Sequence, residues 1–280
     1  MKTAIVTDST CDLSSALIAE RGITITPQHI LWDNENLTDG VDLTPEDLYQ
    51  RLAWDPMLPK TSQPSPGEFA AKYREARDKH GADSVLCITL SKDLSGTNAS
   101  AISACELVDF PVKVVDSRTV SLPLGFAVLN AADAVKSGAS MDEAATLAIE
   151  AGQRSKLFFT LNTLEFLHRG GRIGGARRFI GTALNIKPIL QIKDGLVAPL
   201  ESIRTRKKSV ARMIEIATQQ DWARPLYVGV LHTHATELEE VSNQLKALLK
   251  PDLFLVSMAC AAIGVHTGPG IIGIGILPAK

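Results

Sequence analysis

The sequence predicts an α/β protein in two parts: a parallel sheet with flanking helices in the first half and a mixed-sheet α/β domain in the second. Three observations lead there. Short apolar runs alternate with helix-length segments over most of the first half, the pattern of a parallel sheet covered on both faces. Hairpin signals break that alternation in the second half, so its sheet is expected to be mixed. The chain has 280 residues, 45% of them hydrophobic, enough for two domains of ordinary size with a well-buried core. The expected domains are residues 1–155 and 156–280.

Thr3 to Thr7 reads as the first strand and leads into Asp8-Ser9-Thr10. Asp12 is expected to cap a helix over Leu13 to Arg21, which Gly22 ends in the C-cap role. Ile23 to Thr26 alternates as a strand, and Ile30 to Leu37 reads as a hairpin around Asp33 to Asn36. Thr44 and Pro45 stand at the N-cap and first position of the next helix. Leu58 to Pro66 contains three prolines. They predict a stiff loop excluded from any sheet, whose Thr61 and Ser62 form one wall of a binding site. Ser65 and Glu68 form a capping box for a helix ending near Gly81.

The central stretch is Val85 to Asn98. Val85 to Leu90 is a buried strand, and Ala99 to Leu107 a helix. Between them, Ser95 is expected as N-cap, and Gly96 lets a guest approach the backbone. With Thr97, this turn offers hydroxyls and unpaired backbone N–H groups, a ready anion site. Val112 to Val115 is a further strand, followed by Asp116-Ser117. Ser121 caps an apolar helix running to about Lys136, with Gly138 beyond it, and Ser140 with Glu143 opens another to about Arg154. Ligands of parallel sheets sit at the carboxyl ends of strands. The loops at Asp8 to Thr10, Ser91 to Thr97 and Asp116-Ser117 are expected to gather there.

In the second half, Lys156 to Leu161 is a strand, and Asn162 with Glu165 caps a short helix. His168 to Arg178 then holds four glycines and four arginines, a composition suited to a phosphate or an acidic partner. Ile186 to Ile192 and Leu196 to Ile203 form a hairpin over Asp194-Gly195. Arg204 to Lys208 is a basic cluster opening a helix. Pro225 to His232 is a strand, Glu237 to Lys250 a helix and Leu253 to Met258 a strand. A glycine-rich turn from Gly264 to Gly270, carrying His266, leads into the last strand, Ile271 to Leu277.

Several functions are disfavoured. With 29 basic and 31 acidic residues, no dedicated nucleic-acid surface is expected. The apolar stretches are too short or interrupted to span a bilayer, and Met1-Lys2-Thr3 runs into a strand rather than a signal peptide. Cys11, Cys87, Cys105 and Cys260 are scattered, as in a cytoplasmic protein with reduced thiols. His232 and His234 lack further ligands, so no metal or other cofactor is expected. Gly268, Gly270 and Gly273 match the dinucleotide fingerprint, but too little chain follows to form its helix. Ser95 and His266 are a conceivable nucleophile and base without an identifiable third residue, leaving a lipid hydrolase as an alternative.

These motifs in this order resemble the DegV family of bacterial fatty-acid-binding proteins. The resemblance runs through Asp8-Ser9-Thr10 with Asp12, Thr61-Ser62-Gln63-Pro64, Leu94-Ser95-Gly96-Thr97 and Asp116-Ser117. It continues through Gly171-Arg172-Ile173-Gly174, Lys187-Pro188 with Asp194-Gly195, and His266 with Gly268-Pro269-Gly270. The family's usual Tyr after Ser-Gly-Thr is Asn98 here. The resemblance implies a non-enzymatic carrier that buries an acyl chain. It presents the carboxylate to a separate ATP-dependent fatty acid kinase, a route into phospholipid synthesis. It implies fatty-acid contacts at Thr61, Ser62, Ser95, Gly96, Thr97 and His266; Arg169, Arg172 and Arg204 are expected as partner or phosphate contacts because Arg matches phosphate and carboxylate geometry. A lipid-sensing regulator is the other alternative. The physics is compatible: burying about fifteen methylenes at ~0.8 kcal/mol each yields roughly 12 kcal/mol before ordering costs.

Overall fold

The computed structural model describes residues 2–179 and 186–280; Met1 and residues 180–185 lie outside them. The first half holds β1 (Thr3–Asp8), α1 (Ser15–Arg21), β2 (Ile23–Thr26), β3 (His29–Trp32), β4 (Glu35–Thr38), α2 (Pro45–Leu52), β5 (Lys60–Ser62) and α3 (Pro66–His80). It continues with β6 (Ser84–Thr89), α4 (Thr97–Ser103), β7 (Val112–Asp116), α5 (Leu122–Lys136) and α6 (Met141–Arg154). The second half holds β8 (Lys156–Thr160), α7 (Glu165–Arg169), β9 (Ile189–Lys193), β10 (Leu196–Glu201), α8 (Arg206–Thr218), β11 (Tyr227–His232), α9 (Leu238–Leu249), β12 (Leu253–Met258), α10 (Ala261–Thr267) and β13 (Ile272–Leu277).

The first-half sheet has the order β2-β1-β6-β7 and is parallel throughout. The second-half sheet has the order β10-β9-β8-β13-β11-β12, with β11 and β12 parallel and the other pairs antiparallel, so it is mixed as expected. The capping boxes at Ser65 and Ser140 and the Thr44 cap with Pro45 form as read from the sequence.

Five local expectations are corrected. Lys60–Ser62 is a strand, β5, pairing with β3 in a small third sheet of order β4-β3-β5. Pro59 and Pro64 flank the paired residues on an edge, where proline is tolerated. Asp12 does not cap α1. Ser14 does, and Asp12 adopts a left-handed conformation that turns its carboxylate elsewhere. Ser95 is not the N-cap of α4, a position Gly96 takes without a side-chain bond. Ser121 stands at the N-cap of α5 but donates its hydroxyl to Asp12. Asn162 does not cap α7; its amide instead reaches Pro269 O at 3.2 Å, tying that loop to the start of β13.

Helix α5 joins the halves. Leu122 to Leu129 is apolar and buried on every side, and polar residues (Asn130, Asp133, Lys136) enter only in its second half. Leu124, Val128 and Leu129 pack with Ile5, Leu86 and Val115 of the parallel sheet. Leu122, Phe126 and Ala127 pack with Leu157, Phe159 and Leu231 of the mixed sheet. Gly229 and Gly275 are paired neighbours on β11 and β13, leaving a trough where Leu122 and Phe126 sit. A Cβ on Gly229 would stand 2.7 Å from Leu122 Cδ1. Gly229→Val is therefore expected to destabilise the fold by about 1–3 kcal/mol, the usual cost of overpacking. A lowered urea midpoint with unchanged slope checks this.

Candidate functional site

A narrow cavity of about 100 Å³ lies between the two halves. Its walls are mostly apolar. Leu90, Leu94 and Val120 come from loops at the carboxyl end of the parallel sheet, and Leu157, Phe159, Ile192, Val197 and Leu231 from the mixed sheet. Register orders the latter. Phe159 pairs with Gly273 and Leu157 with Gly275, so Leu157 lies one step further than Phe159 from the β8–α7 end. On the β9–β10 side, the tip of the hairpin is fastened down where Ser91 Oγ donates to Gly195 O at 2.8 Å.

The polar groups gather where this cavity meets the surface. Thr61, Arg172 and His266 line both the cavity and an outer cleft that also contains Lys60, Phe166 and Arg169. Ser95 and Arg172 line both the cavity and a second cleft at Gly171 and Gly174. Thr61 is presented by β5, and this is why the short strand matters: its pairing with Ile30 fixes the hydroxyl's direction. His266 is not in a turn as the sequence suggested. It occupies the last turn of α10, a helix absent from the sequence reading, whose run Ala261 to Val265 is largely buried. Thr61 Oγ1 and His266 Nε2 are 2.7 Å apart.

Burial drives the His266 pKa down to about 4, with the nearby Arg172 guanidinium adding to the effect. The imidazole is neutral at neutral pH, so one of its nitrogens accepts and the other donates. Its Nδ1 has no protein partner among the described residues. A Cβ on residue 170 would come within 2.2 Å of that nitrogen, so glycine at this position makes room for the ring. Arg172 is tethered across the halves: its Nε donates to Leu94 O at 3.0 Å and its Nη1 to Gly170 O at 2.7 Å. This guanidinium therefore sits beside Ser95 as well as His266.

Behind the site lie buried acids. Asp8 accepts from Thr10 Oγ1 at 2.5 Å and Leu90 N at 2.8 Å, and burial raises its pKa. Asp12 accepts from Ser121 Oγ at 2.6 Å and Cys260 N at 2.8 Å, and burial pushes it up to about 7.

The remaining sequence-predicted residues are more dispersed. Thr97 is buried behind Ser95, its Oγ1 2.8 Å from Ser95 Oγ. Ser62 donates to Gln63 O and does not line the cavity. Gly96 lies on the exposed rim, where a Cβ would meet the Gln63 side chain. Arg169 pairs with Glu165 on the wall of the outer cleft. Arg204 is exposed in the turn before α8, away from the cavity lining. Asp116 holds the backbone of Lys92 and Arg118 rather than a guest. Ser95 and His266 are not paired as nucleophile and base: each hydrogen-bonds a different threonine. The sequence reading missed Gln28 and Ser121, which line the cavity. Gln28 follows Pro27 between two short strands, where no motif marks it. Among the described residues no group of three or more His, Cys, Asp or Glu could hold a metal, and no helix is long and apolar enough to cross a membrane.

The sequence pattern of the DegV family, described as uncharacterised proteins, matches residues 2–279. The chain belongs to the DegV family. A DegV domain-containing protein of Streptomyces coelicolor is 37% identical over 274 residues, covering 97% of this chain and 96% of that one. Among solved structures, a fatty-acid-binding DegV family protein from Thermus thermophilus superposes with a TM-score of 0.92 at 33% identity, covering 100% of both chains. DegV of Bacillus subtilis, a fatty acid binding protein, gives 0.87 at 32%, again over 100% of both.

The low pKa of His266 has a direct consequence. Between its ordinary value of 6.5 and about 4, the unfolded chain takes up the proton before the folded one. The neutral ring's contribution to stability is thus complete above 6.5 and is lost as pH falls towards 4. In the lipid-free protein, imidazole NMR signals of His266 are expected to show no protonation from pH 8 down to 5; a midpoint near 6.5 contradicts the burial argument.

Proposed function

We propose that this DegV protein binds a long-chain fatty acid and presents its carboxylate to a separate ATP-dependent kinase for acyl-phosphate formation. The observation that carries this reading is the position of Thr61, Ser95, Arg172 and His266 at the openings of a mainly apolar cavity. Fatty-acid binding by the Thermus and Bacillus relatives supports the ligand class. So does the stearic-acid-binding protein of Eubacterium ventriosum, with a TM-score of 0.87 at 29% identity.

An alkyl chain takes the apolar interior, and its carboxylate must be hydrogen-bonded where it leaves water. Thr61 and Ser95 supply hydroxyls there. With His266 protonated on Nε2, the ring donates to Thr61 Oγ1 and leaves the Thr61 hydroxyl hydrogen free for the carboxylate. Arg172 adds positive charge that suits a carboxylate, or the phosphoryl group that the kinase transfers from ATP to a carboxylate oxygen as ADP leaves. Lys60 and Arg169 extend that charge into the outer cleft, and Arg204 is assigned to the kinase contact.

Mass spectrometry of denatured protein expressed in bacteria is expected to find a stoichiometric fatty acid. Turnover of acyl esters by the protein alone favours a hydrolase instead. Thr61→Ala and Ser95→Ala are each expected to cost about 1.5–3 kcal/mol of fatty-acid affinity, roughly 10–150-fold; unchanged affinity in both removes them from the carboxylate. Arg172→Ala and Arg204→Ala are expected to keep the lipid and depress acyl-phosphate formation with the kinase. A lipid-loaded parent that no kinase phosphorylates leaves the lipid-sensing regulator.

A further inference from the structure

We propose that Asp39 is a positioning residue for the polar end of the cavity, holding Ser95 and His266 in register through two hydrogen-bonded arms. The proposal rests on the reading of that end as a carboxylate site. Asp39 follows β4 and is 3% exposed, so its carboxylate relies on protein partners.

One arm runs to His266. Asp39 Oδ1 accepts from Ala261 N at 3.0 Å, the first residue of α10. His266 lies five residues on, about 7.5 Å along the same helix, so fixing the start of α10 fixes where the imidazole meets Thr61. The other arm runs to Ser95. Asp39 Oδ2 accepts from Ser9 Oγ at 2.6 Å, and Ser9 Oγ in turn accepts from Gln28 N at 3.0 Å. Asp39 N also donates to Gln28 O at 2.9 Å. The Gln28 side-chain amide lies 3.0 Å from Thr97 Oγ1 through Nε2 and 3.1 Å through Oε1. Thr97 Oγ1 is 2.8 Å from Ser95 Oγ. The two arms thus start on one carboxylate and end on residues from opposite halves of the chain.

The charge matters as well as the shape. A carboxylate only accepts, so both Ala261 N–H and the Ser9 hydroxyl donate to it, and Ser9 keeps its lone pairs for Gln28 N–H. An amide in its place has one accepting and one donating end. Whichever way it turns, one arm loses its acceptor: the NH₂ group opposes Ala261 N–H or reverses the Ser9 hydroxyl.

The test compares palmitate with methyl palmitate, which has the same chain and no ionisable carboxylate, on the full chain. The parent is expected to prefer palmitate. Asp39→Asn is expected to weaken palmitate about tenfold or more while methyl palmitate changes less than about twofold, the scale of charge-assisted hydrogen bonds lost at one end only. Ser9→Ala cuts the Ser95 arm alone and is expected to reduce the same preference by less. If Asp39→Asn does not fold, Ser9→Ala carries the test. Equal losses for both ligands overturn the proposal, because Asp39 then only supports the fold; an unchanged preference also overturns it. A parent without any preference for palmitate overturns the carboxylate reading itself, and the proposal with it.

Discussion

Burial of α5 between the two sheets is the constraint on which the rest of the structure depends. The helix stretch Leu122 to Leu129 has no polar residue and has to be covered on all sides. The parallel sheet covers Leu124 and Val128, and the mixed sheet covers Leu122 and Phe126. The Gly229–Gly275 pair allows that contact to be close. With the halves clamped at α5, their loop-bearing ends face each other, and the space left between those loops is the cavity. Neither sheet has this cavity by itself, since Leu90 and Val120 line one wall and Phe159 and Leu231 another.

The polar end works with little formal charge inside. Thr61, Ser95 and a neutral His266 are dipolar, and Arg172 spends two of its donors on backbone carbonyls. Uncharged donors avoid the heavy desolvation cost that a deeply buried ion pair carries. The acids are withdrawn to a layer behind. Asp8, Asp12 and Asp39 accept hydrogen bonds from strand ends, from Ser9 and Ser121, and from the start of α10. None of these three carboxylates lines the cavity.

Much of this was legible in the sequence because it is local. Apolar runs set the strands, and caps such as Ser65 with Glu68 set helix starts within a residue. The Asp194-Gly195 turn set the β9–β10 hairpin. Ser95, Thr61, Arg172 and His266 were visible as polar or basic residues in glycine- and proline-marked stretches. Three of the errors share one cause. Asp12, Ser121 and Asn162 each look like helix caps, yet each bonds to a residue more than a hundred positions away. A short polar side chain makes a cap only when nothing in the tertiary structure competes for it.

The sequence by itself therefore determined the fold class and the order of most elements, β5 and α10 excepted, since these follow from periodicity and local caps. Tertiary structure alone decided which polar residues meet. Thr61 and His266 are 205 positions apart and become partners only when β5 pairs with β3 and α10 packs on the cluster of Ile30, Trp32 and Leu48. Gln28 and Asp39 acquire their places the same way. Their hydrogen bonds run between segments whose separation in space is set by how α5 and α10 are buried, and no local pattern carries that information.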